Sequence, residues 1–104
     1  MIVDNRITEY LHSLEKSRGE LLDTIEKKAV EEGVPIIRSE TAALLRSLTA
    51  ALRPGNILEI GTAVGYSALQ MCQVMPLNCH ITTIEKYEKR IPEAKENFKK
   101  AGEE

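Results

Sequence analysis

A chain of 104 residues has room for one domain at most. Its 42% hydrophobic and 29% charged residues are ordinary for a globular protein, and a formal net charge of −2 gives no bulk reason to expect a polyanion partner. Cys72 and Cys79 match neither a zinc spacing nor a disulfide framework, so they are expected to be reduced, partly buried thiols.

Asp4 or Asn5 is placed to cap a first helix with an apolar face of Ile7, Leu11 and Leu14. Ser17-Arg18-Gly19 interrupts it. A second amphipathic segment carries Leu21, Leu22, Ile25 and Ala29 and stops at Gly33. Pro35 keeps Val34-Pro35-Ile36-Ile37 out of a helix, and so apolar an extended segment is expected to pack on something. Ser39 is expected to cap a third helix bearing Leu44, Leu45, Leu48 and Leu52, and Arg53-Pro54-Gly55-Asn56 to form a turn.

Asn56 to Ile60 is predicted to be a short buried strand, and Gly65 to about Met75 a helix broken by Pro76. A second strand rich in β-branched residues is predicted from Cys79 to Glu85. The last helix is predicted from near Ile91 to Ala101, with Pro92 in its first turn, Gly102 as a stop, and Ile91, Ala94, Phe98 and Ala101 on its apolar face. Strand, helix, strand, helix implies parallel strands joined by a right-handed crossover. Such a pair only begins an open α/β sheet, which needs more strands and two covered faces. The chain is therefore expected to be a single, truncated domain over residues 1–104, the N-terminal half of something larger.

Ligands of open α/β sheets sit at the carboxyl ends of the strands, where three features converge. Glu59 precedes a loop bracketed by Gly61 and Gly65; Ser67 stands in the first turn of the next helix; Glu85 ends the second strand. Helix N-terminal amides favour an anion, and an acid about 20 residues past a glycine loop is placed to accept ribose hydroxyls. Gly61 and Gly65 do not make the G-x-G-x-x-G dinucleotide motif, and Glu59 would repel a pyrophosphate. A ligand with ribose, an amino group and a carboxylate fits better, as S-adenosylmethionine does. His12 and His80 show no partner at catalytic or metal spacing, and Lys86, Lys89 and Arg90 are expected to be a solvated helix start.

Leu58-Glu59-Ile60-Gly61 through Gly65-Tyr66-Ser67-Ala68, followed by Thr82-Thr83-Ile84-Glu85-Lys86, resembles the first two motifs of the class I methyltransferases. Gly65-Tyr66-Ser67 is similar to the catechol and caffeoyl-CoA O-methyltransferase group. Val34-Pro35-Ile36-Ile37 and the helices before it resemble that group's bacterial branch, some members of which methylate 5-hydroxyuridine at the tRNA wobble position. The implied fold is α/β: the N-terminal part of a Rossmann-like class I methyltransferase fold, with helices over 1–38 and a cofactor-binding βαβα half over 39–104.

The resemblance implies that Glu59 binds the methionine amino group and Ser67 its carboxylate. It places Gly61 against the methionine portion and Glu85 on the ribose hydroxyls, and has Ile37 meet the cofactor through its backbone. Tyr66 is assigned to the cofactor site too, though its residue type suits a cover for the sheet equally well. The implied activity is S-adenosylmethionine-dependent O-methyl transfer to a hydroxyl of tRNA or of a small catechol-like phenol. Magnesium is expected only in an intact enzyme. No catalytic or metal-binding residue is expected in this chain, which alone should be inactive. A non-catalytic cofactor-binding module and a self-associating inactive fragment are the alternatives. Met1 to Asn5 lacks the basic region of a signal peptide and no apolar run approaches membrane-spanning length, so a cytoplasmic location, away from membranes, is expected, and the open sheet edge of a truncated domain makes a homo-oligomer the expected assembly.

Overall fold

The computed structural model describes residues 4–103, so the first three residues of the stretch inspected for a leader lie outside it. Five helices and two strands follow in the predicted order: α1 (Asn5–Leu14), α2 (Glu20–Glu31), α3 (Ser39–Leu52), β1 (Asn56–Ile60), α4 (Tyr66–Cys72), β2 (His80–Ile84) and α5 (Ile91–Ala101). A single 3-10 turn, Glu88–Arg90, leads into α5. β1 and β2 pair in parallel, with Asn56 opposite His80 and Ile60 opposite Ile84. None of the described helices is long and apolar enough to cross a membrane.

Asp4 caps α1, its carboxylate accepting the Arg6 amide at 2.8 Å. The predicted serine cap of α3 is corrected. Ser39 lies inside the helix, and Arg38 takes the cap position with extended backbone and no side-chain cap bond. The Ala42 amide reaches the Arg38 carbonyl at 2.9 Å, so the helix has already begun by Ser39. α4 is shorter than predicted and ends at Cys72. The amides of Val74 and Met75 both turn back to the Met71 carbonyl, and Pro76 disfavours helical backbone at the residue before it.

The core joins Leu22, Ile25 and Ala29 of α2, Val34, Ala42 of α3, Val64, and Tyr66 and Leu69 of α4. Phe98 and Ala101 of α5 pack on its margin, with Ile36 and Ile37 of the extended segment. β1 departs from expectation because one of its faces is open: Leu58 is 65% and Ile60 74% exposed, while Ile57 and Glu59 turn toward the helices. The stripes Ile7-Leu11-Leu14 and Leu44-Leu48-Leu52 are likewise exposed. Apolar periodicity marks a surface suited to burial without naming what buries it.

Candidate functional site

The loop after β1 hangs from the carboxyl end of β2. The amides of Gly61 and Thr62 both donate to the Ile84 carbonyl, at 2.7 and 3.2 Å. Gly61 has φ +95°, and a Cβ built there would meet nothing within 4 Å, so the chain faces open space at that point. Gly65 has φ +89°, and its Cβ would stand 2.8 Å from the Phe98 ring. The two bracketing glycines thus answer different demands: Gly61 leaves room, and Gly65 admits α5. Asn97, 8% exposed on α5, donates to the Val64 carbonyl at 2.8 Å and fixes the middle of the loop.

Glu59 and Thr83 are partners in the β1–β2 register, and the Thr83 hydroxyl donates to Glu59 Oε1 at 2.7 Å. The Ser67 hydroxyl, in the first turn of α4, donates to the other oxygen, Oε2. Thr62 Oγ1 lies 2.6 Å from Thr83 Oγ1. A hydroxyl has one proton, and Thr83 gives its own to Glu59, so Thr62 donates to Thr83. Beside this cluster, Glu85 Oε1 accepts the Ala63 amide at 2.7 Å and Oε2 the Tyr87 amide at 2.8 Å. Those contacts hold the Glu85 carboxyl below the usual carboxylate range, the Tyr87 amide contributing most and the Ala63 amide next. Ala63 takes left-handed backbone, φ +48°, while its amide is held by Glu85.

The sequence-derived residues divide. Glu59, Ser67, Gly61 and Glu85 stand at the carboxyl ends of the two strands and the loop between them. Tyr66 points elsewhere: at 3% exposure it belongs to the core and lines a cavity with Glu26, Arg46 and Gln70. Burial, with the Glu26 carboxylate second, pushes its phenol up to about 12. Ile37 lies half-buried against the core in the extended segment before α3.

His12, for which the sequence shows no partner at catalytic or metal spacing, is a surface histidine whose Nε2 lies 2.7 Å from Glu40 Oε2 and ties α1 to α3. That bond raises the imidazole pKa above its ordinary 6.5. His12, Glu15 and Glu40 form the one grouping with metal-ligand potential among the described residues. It sits at the α1–α3 contact, away from the strand ends. Thr62, Thr83 and Asn97 also went unmarked in the sequence. Thr83 shares a strand face with Ile81, a period-two signal, but its pairing with Glu59 requires the register.

A sequence profile of the O-methyltransferase family matches residues 11–104, and the chain belongs to that family. A catechol O-methyltransferase from Niastella koreensis is 29% identical over 98 residues, which cover 92% of this chain and 44% of that protein. The O-methyltransferase TomG from Streptomyces achromogenes, involved in tomaymycin synthesis and solved with S-adenosylmethionine, is 26% identical with a TM-score of 0.80 over 98% of this chain and 48% of its own. A methyltransferase from Geobacter sulfurreducens has a TM-score of 0.87 at 22% identity, covering 98% of this chain and 54% of its own. The fold is therefore the partial Rossmann-like fold of the class I methyltransferases, and the chain spans about half the length of the relatives it matches.

Proposed function

We propose that the carboxyl ends of β1 and β2, with the loop between β1 and α4, bind S-adenosylmethionine for O-methyl transfer. One observation carries this reading: two carboxylates, Glu59 and Glu85, flank an open-sided glycine loop at the carboxyl ends of adjacent parallel strands. Each oxygen of Glu85 already accepts one amide and keeps a second acceptor site for a ribose hydroxyl. Glu59 is the counter-charge for the methionine ammonium, Ser67 the donor to its carboxylate, and Gly61 the point of close approach. Ile37 is assigned a backbone contact at the edge. Tyr66 supports the loop from the core rather than touching the ligand.

Bound in this way, S-adenosylmethionine supplies an electrophilic methyl carbon to an oxygen nucleophile. The chain's own residues bind and orient the donor. We assign none of the described residues to the acceptor's proton, and on this reading the chain by itself holds the donor without transferring its methyl group. Magnesium is assigned no ligands at these strand ends: Glu59 and Glu85 are given to the ammonium and the ribose, and His12, Glu15 and Glu40 group at the α1–α3 contact, so no step is routed through the metal. The acceptor we favour is a hydroxyl on tRNA hydroxyuridine or on a small catechol-like phenol, in the full-length protein.

Calorimetry of the full-length protein with S-adenosylmethionine tests this. Saturable binding that Glu85→Ala weakens at least tenfold is expected, and undiminished binding in that variant contradicts it. A second reading, homo-oligomerisation, is favoured by the open sheet face of Leu58, Ile60 and Ile84. Light scattering that returns a monomer removes it.

A further inference from the structure

Resting on the donor-site reading, one feature of the Glu59 cluster goes beyond it. As a carboxylate, Glu59 only accepts, and each of its oxygens holds one hydroxyl. Ser67 therefore has its proton committed to Glu59 and offers only lone pairs outward. In that state it cannot donate to a ligand carboxylate. To do so it must turn away from Glu59, and the turn leaves Oε2 bare for an ammonium. One rotation thus produces both halves of a zwitterion site.

That exchange works only if Glu59 stays in place when Ser67 leaves. The contact on Oε1 is independent of Ser67: Thr83 donates at 2.7 Å from the neighbouring strand, and Thr62 donates to Thr83 in turn at 2.6 Å. Both threonines are set by backbone rather than by the ligand. Thr83 is locked in the β1–β2 register opposite Glu59, and Thr62 is buried with its amide on the Ile84 carbonyl. The proton order Thr62 to Thr83 to Glu59 is the single one that leaves every hydroxyl of the relay with an acceptor.

We infer that Thr83, oriented by Thr62, is the positioning residue that holds the Glu59 carboxylate while Ser67 exchanges Glu59 for the ligand's carboxylate. Thr83 itself touches no ligand. Its contribution is confined to ligands that carry an amino-acid moiety.

The test compares S-adenosylmethionine with 5′-methylthioadenosine, which keeps the adenosine and lacks the amino acid, on the full-length protein. Thr83→Val keeps the β-branched shape of the strand residue and removes the hydroxyl. It should weaken S-adenosylmethionine about tenfold, the scale of one hydrogen bond to a charged group, leave methylthioadenosine unchanged, and be rescued by Thr83→Ser. Equal loss for both ligands would mean a merely structural threonine and overturn the inference, as would full S-adenosylmethionine affinity in Thr83→Val. A folded wild type that binds neither ligand defeats the donor-site reading itself, a different outcome. Should Thr83→Val lose its melting transition, Thr62→Val removes the donor that orients Thr83 from the loop side. The same ligand-selective loss is then expected, and unselective or absent loss overturns the inference.

Discussion

Phe98 lies over Gly65 so closely that a methyl group on Gly65 would stand 2.8 Å from its Cε1 atom. This contact sets how near α5 approaches the loop after β1, and so the height of the loop above the strand ends. Gly61, four residues earlier, has no neighbour within that reach.

Alanine at the two glycines should therefore separate two costs. Gly61→Ala meets only the left-handed backbone and should destabilise by about 1–2 kcal/mol. Gly65→Ala meets that strain and the ring together, and should cost about 2–4 kcal/mol. Chemical denaturation of both variants measures the order, and equal losses would mean that Phe98 moves aside freely.

Asn97 should behave as a structural residue despite its polarity. Asn97→Ala leaves the buried Val64 carbonyl without its donor and should lower stability by about 1–3 kcal/mol in denaturant titrations. Asn97→Leu should fare no better, because apolar volume does not replace the hydrogen bond.

The attachment of α1 should depend on pH. Glu40 raises the His12 pKa, so the histidine's share of stability is fully present below its ordinary 6.5 and is lost as pH rises through the higher folded value. Glu40 is lowered, chiefly by a backbone amide and then by His12, so its share is present above 4.5 and is lost as pH falls through the lower folded value. Protection factors for α1 amides, corrected for intrinsic exchange, should drop as pH rises from 6.5 through the higher folded value. His12→Gln should flatten that drop.

Much of this molecule is legible in its sequence for local reasons. Pro54-Gly55 and Gly102 punctuate the chain, and the observed β1 and α5 begin and end where those residues require. Glu59 and Glu85 can be placed at strand ends because each stands at the end of a short strand-forming run, Glu59 one residue short of the Gly61 break and Glu85 directly after Ile84. Thr83 is not legible in this way: its partner lies 24 residues away in sequence, and only the parallel register brings the two together. Tyr66 shows the same limit, since residue type alone does not say which side of α4 its ring takes. The open faces of β1 and α3 belong here as well, because a periodic stripe carries no information about its cover.

The most direct test of the donor site is a crystal structure of the full-length protein with S-adenosylhomocysteine. The ribose hydroxyls should lie within hydrogen-bond distance of Glu85, the ammonium beside Glu59, and Ser67 should have turned from Glu59 to the ligand carboxylate. A ligand seated instead in the cavity of Tyr66, Arg46 and Gln70, with Glu59 and Glu85 in their present bonds, would contradict the account.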